Sequence, residues 1–367
     1  MADRSELVKG LGIYGATSVV AGTMIGTGIF VVPSIMLEHV ETPWMVLAVW
    51  VFAGLLSLCG ALGYAELGAA IPEAGGEYVY IQRAYGPAMG FLYGWTTFIV
   101  AKTASIAAIA TGFVIYLSYF FPRLNGVIWE AHPSLAGHAA TLRVTGLQVG
   151  AVVMIVFLSV INVLGVRRSG AVQTVFTASK LGVLALLIVL GLTIGEGSFD
   201  HFRQAAGLGA QTSFLAAFGL ATVSALWAYD GWNNLSMVAG EVENPQRNMP
   251  RALIVGSLLV IGFYVLANIA YFYLLAPAEA VGTRTIAADA ARRLLGGAGG
   301  AFVAVGVMIS SFATLNGSIL AGSRVPYAQA RDGLFPQALA RLHPRFRTPA
   351  AAIIAQALVA GVFALSG

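Results

Sequence analysis

The chain has 367 residues, of which 58% are hydrophobic and only 10% charged, with a net charge of +4. A soluble globular domain carries about 25% charged residues, so these charges are too few to cover two soluble domains, and the composition is that of a helical membrane protein. One cysteine, Cys59, excludes a disulfide framework, and the small positive balance is no sign of a nucleic-acid partner. From Met1 to Lys9 the sequence is polar, and the apolar run that follows is too long for a cleavable signal peptide.

About 20 apolar residues cross a 30 Å hydrocarbon core, and nine segments meet that length. Their expected limits are 11–37, 43–67, 88–121, 147–166, 171–193, 214–238, 252–275, 297–321 and 350–365, forming one transmembrane domain over 1–367. The third is longer than a span requires, which implies tilt or extension past the membrane. Placing the N-terminus in the cytoplasm puts Arg4, Lys9, Arg83, Arg167, Arg168, Arg247, Arg251, Arg324, Arg331, Arg341, Arg345 and Arg347 inside. Only Arg123, Arg143, Arg203, Arg284, Arg292 and Arg293 fall outside, as the positive-inside rule requires.

The first segment contains Ala21-Gly22-Thr23-Met24-Ile25-Gly26-Thr27-Gly28-Ile29-Phe30. Each glycine costs a helix roughly 1 kcal/mol relative to alanine. A break at membrane depth is tolerated only where the freed backbone faces protein, water or a ligand. The sixth segment contains Trp227-Ala228-Tyr229-Asp230-Gly231-Trp232-Asn233-Asn234, helix-ending residues between apolar flanks. The two breaks lie five spans apart, so a five-helix repeat would be inverted the second time: 11–193, then 214–367. Paired broken helices in inverted halves point to a transporter's midplane site.

Such a site is specific about its ligand. The N–H groups of Thr27, Gly28 and Ile29 open the second half-helix and suit a carboxylate. Carbonyls from Thr23 to Ile25, and those of Trp227 and Ala228, suit an ammonium. Together they fit a zwitterion, and an amino acid is the zwitterion most available to a cell.

These residues carry a family resemblance. Gly22 through Phe30 resembles the first-helix signature of the amino acid–polyamine–organocation (APC) superfamily. Tyr64-Ala65-Glu66-Leu67-Gly68 through Gly75-Gly76-Glu77-Tyr78 and Tyr85-Gly86-Pro87 is similar to the block after its second helix. Trp227 through Asn233, followed by Gly240 through Pro250, resembles the sixth-helix block, and Asn316-Gly317-Ser318 with Ser323-Arg324 the eighth. Within the superfamily the pattern is most like the L-type amino acid transporter branch and its bacterial relatives.

The resemblance implies an all-α, LeuT-type inverted five-helix repeat that carries amino acids by alternating access, without a cofactor. By position it makes Thr27 and Gly28 carboxylate-binding residues, gives the Met24 carbonyl to the α-amino group, and makes Trp227 an aromatic gate. The substrate set is completed by Thr23, Ile25, Gly26, Ile29, Ala228, Tyr229, Asp230 and Gly231. Asp230 replaces the glycine of many eukaryotic members. It reads either as an N-cap for the second half of helix six or as a selector of ammonium groups. Family members have twelve spans, so a chain ending after the ninth at Gly367 is expected to be a fragment. Whether an accessory subunit exists is left open.

Isolated charges within spans need partners, because a lysine at the bilayer centre costs at least ~2.5 kcal/mol. In the family, Lys180 occupies the position of a sodium ion beside the first helix, with Gly22, Thr314 and Asn316 nearby. This implies a sodium-independent carrier of uncharged amino acids; a purely structural lysine and a proton-coupling lysine are the alternatives. Thr314 and Asn316 read equally as polar helix–helix contacts. Lys102 reads as a gate or substrate residue, or as a side chain snorkelling to an interface. Glu66 reads as part of an inner gate. Two amphipathic stretches, 285–295 and 325–343, lie either flat on the membrane or as lids over the cavity. All five histidines (His39, His132, His138, His201 and His343) fall in connections, and no paired aspartates or nucleophile motif lies within a span, which argues against an intramembrane enzyme. A channel or a binding receptor is the remaining rival class.

Overall fold

A computed structural model describes residues 7–131, 134–135, 138–139, 142–208, 213–283 and 285–366. Arg4, Arg284, His132 and Gly367 lie outside the described residues.

The glycine-rich first segment folds as two helices, α1 (Ile13–Met24) and α2 (Gly28–Val40), bent by 42°. The next spans are α3 (Pro43–Ala70) and, after a short helix α4 (Glu77–Tyr85), α5 (Pro87–Leu117). The third span is therefore shorter than the 88–121 expected from apolarity. It is interrupted by a π-helical turn over Thr97–Lys102. Beyond it, the apolar residues Phe120 and Phe121 are exposed. They lead into a strand, Val127–Ala131, that pairs antiparallel with Leu142–Thr145, a small β element the sequence reading did not anticipate.

The fourth and fifth spans are α6 (Gly146–Val163) and α7 (Val166–Thr193). Thr145 starts α6 with a capping box to Gln148. The sixth segment is broken into α8 (Phe214–Tyr229) and a single turn, α9 (Asn234–Met237). Then follow α10 (Pro245–Leu274), α11 (Ile286–Leu295), α12 (Gly299–Gly322), α13 (Arg324–Arg331) and α14 (Ala350–Ser366).

Apolar packing divides the molecule into two cores. The larger joins α1, α2, α3, α8, α10 and α11; the smaller joins the second half of α5 with α6, α12 and α14. Small residues let the helices approach. The buried face of α3 runs through Ala53, Gly54, Ser57, Ala61, Ala65 and Gly68, and α10 packs along it. The first amphipathic stretch and the start of the second are packed against the bundle, whereas 331–333 and 336–338 are exposed. Ile286, Ala287, Ala290 and Ala291 bury α11 against α2, α10 and α12, whereas α13 is buried beside α4 and α5. Both breaks face the space between the two cores.

Candidate functional site

The first break leaves its own backbone groups unpaired, and three other helices answer them. Lys180, buried on α7, donates to Gly22 O at 2.8 Å, Ile25 O at 2.7 Å and Ser310 O at 3.0 Å, with Thr314 Oγ1 at 3.3 Å. This cage of four oxygens contains no carboxylate; its negative partner is the carbonyl end of α1. Ser310 adds a bond to Ile25 O at 2.8 Å, and the Thr314 hydroxyl lies 3.1 Å from Gly22 O. From α10 the Tyr264 hydroxyl lies 2.9 Å from both Met24 O and Ala228 O, so a single group bridges the two breaks.

The single Tyr264 proton serves one of these two carbonyls at a time, and Met24 O also accepts from Gly26 N–H. Met24 O, expected to receive an α-amino group, is therefore partly engaged. Ile25 O is taken by Lys180 and Ser310, and Trp227 O accepts from Asp230 N–H. By contrast, no acceptor among the described residues engages the N–H groups of Thr27, Gly28 or Ile29. They begin α2, and a helix N-terminus of this kind suits an anion.

The second break is fastened differently. Gly231 has φ +124°, a left-handed conformation, and a Cβ there would lie 2.8 Å from the carbonyl carbon and oxygen of Thr23. Thr23 Oγ1 lies 2.8 Å from Gly231 O and 2.6 Å from Val19 O, linking α1 to the second break. Gly28 is the reciprocal contact. A Cβ there would sit 2.7 Å from Ala228 Cβ and 3.0 Å from its Cα, so glycine is required by proximity.

Between the breaks lies a cavity of about 500 Å³, lined by Thr23, Met24, Gly26, Thr27, Gly28, Lys102, Trp227, Ala228, Asp230, Gly231 and Thr314 from the sequence reading. Asn234, Ser105, Ile109, Gly112, Ser311 and Ser318 also line it and were missed. Trp227 is 63% exposed, its ring open to this space. A second cavity of about 560 Å³, lined by Lys9, Glu73, Tyr327, Arg331 and Asp332, includes neither break.

Several expected residues are placed elsewhere. Ile25 and Ile29 are fully buried in the larger core, and Tyr229 is buried with its hydroxyl on Trp50 O at 3.1 Å. None of the three lines the cavity, because helical rotation turns them away from it. Gly22 packs against Gln173 and Thr177, contributing only its carbonyl to the Lys180 cage. Asn316 is not beside Lys180. It bonds Gln173 Oε1 at 2.8 Å and Asn162 Nδ2 at 3.1 Å, a polar contact joining α6, α7 and α12.

Asp230 is not an N-cap. Asn233 occupies the cap position of α9 with no side-chain cap bond, and Asp230 is exposed to the cavity. Lys102 does not snorkel. The π-turn places it at the cavity, where its ammonium donates to Asn234 Oδ1. Glu66 is exposed and has no hydrogen-bond or ion-pair partner among the described residues, since it lies off the small-residue face of α3.

Two buried acidic residues that do tie elements together are Glu77 and Glu241. Glu77 accepts from Tyr64 at 2.8 Å, from Asn233 at 2.9 Å and from Tyr93. Glu241 forms a bidentate pair with Arg324 at 2.8 and 2.9 Å, both side chains fully buried. Glu241 O also receives the N–H groups of Gly10 and Leu11, so the pair closes the end of the bundle where α1 begins. The sequence blocks with Gly240-Glu241, Ser323-Arg324 and Gly76-Glu77 had drawn attention to these residues without their pairing; Tyr264 and Ser310 had no signal.

The family model described as amino acid permease matches residues 11–366. The b(0,+)-type amino acid transporter 1 of Homo sapiens is 35% identical over 364 residues, covering 99% of this chain and 71% of that protein. The serine/threonine exchanger SteT of Bacillus subtilis (strain 168) is 35% identical over 362 residues, covering 98% of this chain and 77% of that protein. Among solved structures, Mhp1, a nucleobase-cation-symport-1 family transporter in a closed conformation with bromovinylhydantoin bound, superposes with a TM-score of 0.66 at 12% identity. That match covers 99% of this chain and 74% of Mhp1, and shows a shared LeuT-type fold.

Proposed function

The chain belongs to the amino acid permease family, and from that premise we propose that it carries uncharged amino acids by alternating access, with no requirement for sodium. It is a multi-pass membrane protein whose family transports amino acids. The cavity between the breaks is the proposed substrate site. The free N–H groups of Thr27, Gly28 and Ile29 take the carboxylate. Gly231 O already has Thr23 Oγ1 and Asn234 N–H beside it, so we assign the α-ammonium to the carbonyls of Met24, Trp227 and Ala228, since Tyr264 can serve only one of Met24 O and Ala228 O at a time. Trp227 covers the bound molecule as a gate.

The observation that carries sodium independence is Lys180. Its ammonium touches four oxygens that would otherwise make a hard-cation cage. A second reading, favoured by the uncapped carboxylate of Asp230 in the cavity, admits cationic substrates. The positive-inside rule supports a cytoplasmic N-terminus, which puts the Arg324–Glu241 closure on the cytoplasmic side.

The test is uptake of labelled amino acid into proteoliposomes, with internal amino acid, proton gradient and sodium varied separately. Uptake that persists without sodium and requires internal substrate supports a sodium-independent exchanger. Loss of uptake on removing sodium alone overturns the role given to Lys180. Binding without uptake would indicate a receptor.

A further inference from the structure

Two consecutive asparagines at the second break face opposite charges. Asn233 turns its amide nitrogen to the Glu77 carboxylate, and Asn234 turns its amide oxygen to the Lys102 ammonium. Each orientation is the one that the charge demands, since a carboxylate only accepts and an ammonium only donates. The Asn233 orientation leaves its buried Oδ1 without a partner. A buried unpaired acceptor is costly, so the bond to Glu77 governs how that amide sits.

Neither charge has an opposite charge in direct contact. Glu77 is buried and takes three neutral donors, whereas Lys102 has one amide, with the fields of Asp230 and Glu77 reaching it. Glu77 belongs to α4, and its phenolic donors come from α3 and α5. Lys102 comes from the π-turn of α5, and its stem passes the end of α12, where a Cβ on Gly322 would lie 3.3 Å from Lys102 Cβ. The short segment Asp230–Asn234 is thus gripped by an acid on one side and a base on the other. Among the residues that line the cavity, only Lys102 and Asp230 are charged.

We propose that Lys102 is a specificity-determining residue of the substrate cavity, its ammonium offsetting the Asp230 carboxylate, and that Lys102 and Glu77 act through Asn234 and Asn233 as positioning residues for the broken sixth helix. The inference rests on the cavity being the amino acid site. With both charges present the wall has no net charge, which favours a zwitterion with a neutral side chain. Without the ammonium, the wall attracts a cationic side chain; without the carboxylate, an anionic one.

The test uses the full chain in proteoliposomes loaded with L-alanine, with external labelled L-alanine, L-lysine and L-glutamate compared. Lys102→Gln is expected to raise the L-lysine to L-alanine uptake ratio about tenfold, as an unopposed carboxylate would. Lys102→Arg keeps the charge and is expected to keep the wild-type ratio. Asn234→Leu and Glu77→Gln loosen the grip without removing the ammonium. They are expected to lower kcat about tenfold while leaving the charge ratio and KM close to wild type. Should Lys102→Gln not be recovered from membranes, Asp230→Asn carries the same test with the opposite sign, raising the L-glutamate ratio. L-alanine uptake with unchanged ratios in these charge variants overturns the inference alone. A wild-type protein that takes up none of the three overturns the substrate site with it.

Discussion

The first break is held by neighbouring side chains that reach in to its carbonyls, whereas the second reaches out with its own side chains to charged residues on its neighbours. In the first, Lys180, Tyr264, Ser310 and Thr314 reach the carbonyls of Gly22, Met24 and Ile25, while the N–H groups of Thr27, Gly28 and Ile29 stay open. In the second, left-handed Gly231 turns the chain, Asn233 and Asn234 reach outward, and the Asp230 carboxylate remains open. The first break is therefore a fixed helix terminus of the kind that suits an anion. The second is a short strap whose amides reach charges on α4 and α5. Under the proposed reading, the carboxylate goes to the first and discrimination among side chains to the second.

Four substitutions would break or sharpen this contrast. The largest effect is expected at the point where the two breaks touch. Gly28→Leu drives a side chain into Ala228, and uptake should fall below detection while the protein still inserts in the membrane; near wild-type uptake would show that the contact does not matter. Next is Lys180→Ala, which strips the first break of its central donor. Leaving buried acceptors unpaired costs about 1–3 kcal/mol each, so a transport loss of about 100-fold is expected, measured as initial uptake rate. Restoration by sodium in this variant would show the emptied cage taking a cation; a variant as active as wild type would refute the fixed-terminus description.

Tyr264→Phe removes one hydroxyl and touches both breaks. Thermal unfolding in detergent should register a destabilisation of about 1–2 kcal/mol, with uptake reduced more than stability would explain. The smallest effect belongs to Glu66→Gln. Because Glu66 is exposed and unpartnered, both stability and uptake should stay within ~0.5 kcal/mol of wild type, a sharp difference from Glu77→Gln.

The breaks were legible because glycine, aspartate and asparagine are conspicuous in apolar helices, and Lys180 because a lone charge at that depth requires a partner. What the sequence could not convey was rotation. Ile25, Ile29 and Tyr229 sit within the broken stretches yet point into the core, and one step along a helix separates a lining residue from a buried one. Competition was equally hidden. The Met24 carbonyl looked free, whereas Tyr264, far away in the chain, shares one proton between it and Ala228 O. Asp230 looked like a cap because aspartate favours that role, but the second half-helix starts later, after Asn233. Glu66 could have been set aside in advance, since the small residues of α3 recur on a face that excludes it.

A cation attached by a covalent stem behaves unlike one drawn from solution. The Lys180 ammonium is held at Gly22 and Ile25 by the backbone of α7, so its local concentration is set by the fold and not by the medium. Under the sodium-independent reading, this brace neither arrives nor departs during a cycle, and no sodium gradient can do work through it. Such a carrier can trade one amino acid for another down their combined gradients, but it draws no power from sodium to accumulate either.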